Sequence, residues 1–414
     1  MALIVQKFGG SSVANAERIK NVAKRILDTH LDGAGNEIVA VVSARGDLTD
    51  ELIDLADQIN TDPPRREMDM LLATGEQQSV ALIAMAIEAL GHKARSFTGG
   101  QVGILTDGYH TKAKIKEIGG EAIRKALKED HIAIVAGFQG VDAELNITTL
   151  GRGGSDLTAI ALAAALKADM CEIFTDVDGV YTADPRVVPD AQKLDVISYD
   201  EMLELAALGA AVMQARSVEV AKKFGVRFTV RSSLNRNPGT LVCEETKDME
   251  DVVVRGAAIQ KDEAKISIKD VPDKPGQAAF LFSELASNNV NVDMIVQNLS
   301  REKNVTDITF TVPRSDTKLA LKVTRDVSKK IGAGGVTSDD NIAKVSVVGI
   351  GMRSHSGVAA KMFNALAKER INIHMISTSE IKISCIVDKA AAEKALRCIH
   401  RAFGLNEAKK AAKA

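Results

Sequence analysis

In the stretch Thr148-Thr149-Leu150-Gly151-Arg152-Gly153-Gly154-Ser155-Asp156, three glycines crowd an arginine, a serine and an aspartate together. The chemistry open to such a set is anion capture. Glycine lets backbone approach a ligand, the first N–H groups and dipole of a following helix favour negative charge, and arginine adds a planar fork for a carboxylate or phosphate. A tight strand-to-helix turn with a surface arginine is the plainer alternative. The spacing is neither G-x-x-x-x-G-K-[ST] nor G-x-G-x-x-G, so P-loop and dinucleotide readings have no support.

Lys7 precedes a second glycine loop, Gly9-Gly10-Ser11-Ser12. A phosphoryl group there could meet both a cation and backbone N–H groups; a strand-end lysine reaching solvent fits equally. Thr74-Gly75-Glu76 stands before an apolar run read as a helix over 77–90. Glu76 either complements the dipole of that helix or binds a substrate ammonium. The segment Asp176 to Arg186 carries three acids, an arginine and Tyr181. It suits a nucleotide with Mg²⁺, or is a polar turn rich in Asp, Gly and Pro.

The elements that must position these residues follow from hydrophobic period. Apolar strands are expected at 2–8, 38–42, 132–136, 147–150, 172–175 and 227–230, and amphipathic helices at 14–29, from 49, at 157–166 and at 214–224. Ser198-x-x-Glu201 is a capping box opening a helix to about Leu208. Strands alternating with helices to about residue 245 predict a mostly parallel sheet covered on both faces. In such sheets ligands bind beyond the strands' carboxyl ends, where every loop named above lies.

Beyond that, the chain repeats itself. Gly276–Ile295 and Gly357–Ile376 align without a gap, matching Phe282 with Phe363, Leu285 with Leu366, Asn291 with Asn372 and Met294 with Met375. This predicts a duplicated βαββαβ unit. The second copy lacks a final strand, and the spare strand at 252–259 is expected to complete it, with the first module inserted between. The expected domains are 1–245, 264–338, 252–259 with 343–405, and a polar tail at 406–414.

Composition narrows the partners. A length of 414 residues exceeds one core. The net charge of −2 and the absence of Trp argue against electrostatic or base-stacking nucleic-acid binding. No uninterrupted apolar run reaches the ~20 residues of a membrane span, and the four cysteines show neither C-x-x-C nor zinc spacing. Buried thiols in a reducing cytoplasm are expected, with no signal-peptide plan at the start and no metal held by the protein alone.

The motifs Lys7-Phe8-Gly9-Gly10-Ser11-Ser12-Val13, Val42-Ser43-Ala44, Thr74-Gly75-Glu76, Gly151–Asp156 and Thr175-Asp176-Val177-Asp178-Gly179-Val180-Tyr181 resemble, in order, those of the aspartate kinase (aspartokinase) family. The duplicated tail is similar to that family's paired ACT regulatory domains. The resemblance implies an amino-acid-kinase-like three-layer αβα sandwich followed by two ferredoxin-like modules. It implies ATP- and Mg²⁺-dependent phosphorylation of the L-aspartate side chain to 4-phospho-L-aspartate, opening the route to lysine, threonine and methionine. It also implies inhibition by lysine, threonine or both, and a homodimer or α₂β₂ tetramer joined through ACT domains, with Met249 near an internal start.

Residue by residue, the resemblance gives Lys7 the transferring phosphoryl group and Asp156 the task of orienting that lysine. It gives Gly9, Gly10, Ser11, Thr175, Asp176, Tyr181, Asp184 and Arg186 to ATP. Arg152 takes an aspartate carboxylate and Glu76 its ammonium, with Ser43, Thr49, Gly153 and Ser155 beside them. The effector positions are Asp273, Gly276, Ala278, Asn291, Val292, Asp293 and Gln297 in the first module, and Asn372, Ile373, Ser379 and Glu380 in the second. One departure stands out: the family usually has a lysine where this chain has Ala211. A relative phosphorylating glutamate, acetylglutamate, carbamate or UMP is the alternative enzyme, and a sensor without catalysis the alternative to an enzyme.

Overall fold

A computed structural model describes residues 1–32, 35–208, 213–245, 252–300 and 304–407. Ala211, Met249 and most of the expected polar tail lie outside the described residues. Two compact units are present, residues 1–181 with 193–249, and residues 182–192 with 250–414.

The first unit is built on an eight-stranded sheet with Leu3–Phe8 near its middle, between Met170–Thr175 and Glu37–Val42. All neighbouring pairs are parallel except Phe228–Ser232 with Thr240–Cys243. Side chains alternate across this sheet. Phe8, Ile38, Ala40, Val42, Ile132 and Ile134 form one core with helices Ala16–Leu31 and Arg65–Glu88. Helix Gly154–Leu166 packs near the same central strands. It is buried on all sides except at Ala164 and Ala165, so from Ala159 onward its run is apolar and lacks a polar stripe. The capping box at Ser198 is formed, with Ser198 Oγ accepting from Glu201 N at 3.2 Å.

Besides the unforeseen strands Ala94–Phe97, Val196–Ser198 and Thr240–Cys243 and the helix Glu121–Lys128, two features depart from the expected plan. The helix read as starting at Gln77 begins at Arg65, directly after Pro64, and ends at Glu88. Thr74-Gly75-Glu76 therefore sits inside the helix, and Glu76 cannot complement an N-terminal dipole there. Gly75 is present for contact: a Cβ would stand 2.8 Å from Ala44 Cβ. This helix is long and apolar enough to cross a membrane by length and composition. Its buried Asp69 and Glu76 and its core side chains Val80, Ile83 and Ile87 make it an interior helix of this unit. The second departure is a small sheet of Ile115–Ile118, Ile104–Thr106, Gln139–Val141 and Ile147–Thr149, of which only the last strand was expected.

The second unit holds two four-stranded sheets. In the first, Glu263–Pro272 lies between Val305–Pro313 and Gly335–Asp339, with Ile295–Ser300 at the edge. In the second, Ile342–Val348 lies between Lys382–Asp388 and Gly256–Gln260, with Met375–Thr378 at the edge. Gly256–Gln260 holds the place that Gly335–Asp339 holds in the first sheet, although it precedes both repeats. Each module buries its own core, around Leu281, Leu285 and Phe310 in one and Met362, Leu366 and Leu396 in the other.

Candidate active site

Strand register sets the site. Phe8 is level with Val42 and Phe174, Val42 with Ala136, and Thr175 with Ser232. The loops after these residues therefore leave one edge of the sheet, the carboxyl edge of its parallel strands. Three backbone hydrogen bonds link four of them. Gly9 N donates to Phe174 O at 3.3 Å, Gly46 N to Gly10 O at 3.0 Å, and Ser233 N to Thr175 O at 2.8 Å. Ser12 and Ser233 hydroxyls meet at 2.8 Å. Gly10 has no room for a side chain, since a Cβ would lie 2.7 Å from Ala44 O.

Lys7 Nζ lies 2.6 Å from Asp156 Oδ1, both side chains nearly buried. A Cβ on Gly9 would stand 3.5 Å from that ammonium, so the lysine head lies over the glycine loop. Asp156 is held in the first turn of helix Gly154–Leu166. Gly151 and Gly153 make the preceding turn with φ of +77° and +71°, which glycine adopts without strain. Ser155 packs on Gly137, where a Cβ would meet Ser155 Oγ at 2.7 Å. Thr158 Oγ accepts from Phe138 N at 3.1 Å and fixes the same crossing. Arg152 is exposed.

Glu76 is 3% exposed. Its Oε1 accepts from Ala44 N at 3.0 Å, while Oε2 is buried with no partner among the described residues. Burial pushes the carboxyl up to about 7, against the lowering effect of the Ala44 bond. A buried acceptor left open costs on the order of 1–3 kcal/mol, which a cationic ligand would recover. Ser43 and Thr49 are half-buried on the loop and helix start beside Ala44.

In the segment that begins at Thr175, Thr175 Oγ donates to Asp176 at 3.0 Å, and Asp178 accepts from Asn235 and Asn237 at 2.5 and 3.2 Å. Tyr181 is half-buried, and its phenol is raised by burial and by Asp178. Asp184 and Arg186 belong to the second unit. There they face each other in a two-pronged pair, Nε to Oδ1 at 3.0 Å and NH2 to Oδ2 at 2.7 Å. This bond holds the Asp184 carboxyl below its ordinary range.

The donors at the sheet edge fit a polyphosphate: one ammonium, glycine turns and a helix start. Among the described residues no three His, Cys, Asp or Glu side chains gather as a metal site. Mg²⁺ carried by phosphates needs only one or two protein carboxylates.

In the second unit, Asp273, Gly276, Ala278 and Gln297 line one cavity of about 320 Å³ with Thr306 and Ile308. Gly276 and its repeat partner Gly357 both open helices at φ of +95° and +88°. The other positions expected to bind an effector lie elsewhere. Val292 packs into the module core, and Asp293 pairs with Lys344, which also holds Glu263. Asn291 and Asn372 are exposed. Ile373 lines a second cavity of about 360 Å³ with Lys265, Ser267, Asn298 and Thr309. Ser379 N donates to Lys382 O, and Glu380 pairs with Arg353 at 3.5 Å.

Sequence reasoning missed Asp69, His110, Ser233 and Arg216. Arg216 donates to Leu150 O and Ala113 O at 3.1 and 2.9 Å behind the Gly151 turn. The only signal for Asp69 was its place seven residues before Glu76, one helical face with two buried acids.

Comparison with known proteins bears on this geometry. The amino acid kinase family matches residues 2–232, and the ACT domain matches 266–326 and 345–403. An aspartate kinase of Stutzerimonas stutzeri is 54% identical over 98% of this chain and 98% of its own. An aspartokinase of Corynebacterium efficiens is 53% identical over 98% and 97%. E. coli aspartokinase III in complex with aspartate and ADP superposes with a TM-score of 0.81 at 26% identity, over 97% of this chain and 99% of that one. The same enzyme with lysine and aspartate gives 0.75 at 26% identity over the same shares.

Proposed function

The chain belongs to the amino acid kinase family, in its aspartokinase branch with ACT domains, and on that premise we propose that it phosphorylates L-aspartate on the side-chain carboxylate with Mg·ATP. The observation that carries this reading is the Lys7–Asp156 pair where two glycine turns meet. The carboxylate oxygen attacks the γ-phosphorus, the bond to the β,γ-bridging oxygen breaks, and ADP leaves with its electron pair. The nucleophile is already an anion, so no base is required. The obstacle is repulsion, on the order of 4 kcal/mol for one charge pair 4 Å apart at an effective dielectric of 20. Catalysis is therefore positioning and neutralisation.

Lys7 stabilises the transferring phosphoryl group, and Asp156 keeps its ammonium pointed there. Gly9, Gly10 and Ser11 line the phosphates, and Thr175, Asp176 and Tyr181 frame the nucleotide. Asp184 and Arg186 carry the same assignment by family resemblance. When bound with ATP, Mg²⁺ supplies further neutralisation of the phosphate oxygens. Glu76 Oε2 takes the substrate ammonium and Arg152 a carboxylate, with Ser43, Thr49, Gly153 and Ser155 adjoining.

The second unit serves as the sensor for lysine, threonine or both. The cavity at Asp273, Gly276, Ala278 and Gln297 supports this, and an inhibitor must bind one conformation better to act. The edge strands Ile295–Ser300 and Met375–Thr378, with Ile295 and Ile376 exposed, support assembly as a homodimer or α₂β₂ tetramer. ADP release measured with aspartate, glutamate, acetylglutamate, carbamate and UMP tests the substrate. Turnover is expected with aspartate; preferential turnover with another acceptor would overturn the assignment.

A further inference from the structure

We propose that Asp69 is a positioning residue: it sets the turn carrying Arg152 against the helix carrying Glu76, and so fixes the spacing of the two grips on the amino-acid substrate. This rests on the reading of those two side chains as substrate contacts.

Asp69 is fully buried on helix Arg65–Glu88, seven residues before Glu76 and on the same face. Three donors converge on its carboxyl group. Thr149 Oγ donates at 2.5 Å, Thr111 N lies 3.1 Å from each oxygen, and His110 Nδ1 lies 2.7 Å from Oδ2. Each donor sits on a segment that shapes the Gly151 turn. Thr149 is two residues before Gly151. Thr111 O would lie 3.2 Å from a Cβ on Gly151, and Ala113 N donates to Thr149 O at 2.9 Å. Thr111 has φ of +70°, a region β-branched residues avoid unless the surroundings hold them there. The bonds to Asp69 supply that hold.

An apolar side chain would join helix to sheet at lower cost than a buried carboxyl. What the carboxyl adds is direction: it ties two backbone segments, at 110–111 and at 149, to one helix in one register. The ammonium and α-carboxylate of an amino acid are separated by a fixed few ångströms. A shift of the Arg152 turn along the Glu76 helix therefore weakens substrate capture before it alters the nucleotide side of the site.

The test uses the full-length protein and two variants, Asp69→Asn and Thr149→Val, with Ile87→Ala as a stability control. Ile87 is buried on the same helix, far from these bonds. The expected result is an aspartate KM raised tenfold or more in Asp69→Asn and at least threefold in Thr149→Val. The ATP KM and kcat at saturating aspartate should stay within threefold of wild type. Ile87→Ala should lower Tm with both KM values unchanged. An Asp69→Asn protein that loses Tm with no change in aspartate KM would overturn the proposal, as would equal rises in both KM values. Should Asp69→Asn fail to fold, the near-isosteric Thr149→Val decides by the same split. A wild-type protein without aspartate-dependent ADP release would instead refute the functional reading beneath it, and the proposal with it.

Discussion

At the scale of single residues, charge and burial carry the account. Glu76 is raised to about 7 chiefly by desolvation. The folded state thus holds its proton between the ordinary carboxylate range and about 7. Its contribution to stability is full below the unfolded pKa and is lost as pH rises through about 7. That loss is about 3 kcal/mol, taken as the shift from 4.5. Glu76→Gln should flatten this part of the stability–pH curve, read by chemical unfolding from pH 5 to 8. On the proposed function the charge acts oppositely on binding. Aspartate KM should fall as pH rises through about 7 in the wild type, and stay high and flat in Glu76→Gln. Arg152 projects into solvent, so Arg152→Ala should leave Tm unchanged. Losing a charge-assisted bond of about 1.5–3 kcal/mol should raise aspartate KM by roughly 10- to 100-fold; unchanged steady-state kinetics would remove Arg152 from the site.

At the scale of elements, the strand–glycine–helix units were legible because local pattern and tertiary role agree. Apolar runs at 3–8 and 38–42 became central strands, and Lys7 and Asp156 stand at the ends of elements the sequence marks with glycine. The helix at Arg65–Glu88 was misplaced for the converse reason. Thr74-Gly75 looks like a break, because glycine weakens a helix by about 1 kcal/mol, yet packing against Ala44 demands it. The same misplacement hid Asp69, whose partners at 110, 111 and 149 lie far along the chain. The strands of the small sheet span only three or four residues each, too short to show a period. Gly75→Ala should force the Ala44 loop away. Overpacking of about 1–3 kcal/mol should lower Tm by several degrees in a thermal melt, and aspartate KM should rise because Ala44 N leaves Glu76.

At the scale of the molecule, the repeat was visible in sequence because equivalent positions bury the same residues, Leu285 with Leu366 and Met294 with Met375. What periodicity cannot show is the ion cluster joining the modules. Lys344 of one holds Glu263 and Asp293 of the other, with Lys344 and Glu263 almost wholly buried. Asp293 is thereby engaged with Lys344. Removing one member of such a pair costs about 3–5 kcal/mol, so Lys344→Ala should markedly lower the unfolding midpoint of the second unit. Gln297 instead lines a cavity. Gln297→Ala should raise the lysine or threonine concentration needed for half-inhibition while leaving the uninhibited rate intact.

On the proposed function, a carboxylate and a polyphosphate meet at the carboxyl edge of the first sheet. Trapping the product with hydroxylamine tests it most directly. Wild-type protein with ATP, Mg²⁺ and L-aspartate should yield aspartyl hydroxamate. Lys7→Met should lower the yield by two orders of magnitude or more, as loss of one preorganised charge at a developing anion does. Folded wild-type protein that gives no hydroxamate, or a Lys7→Met protein that gives as much, would contradict the account.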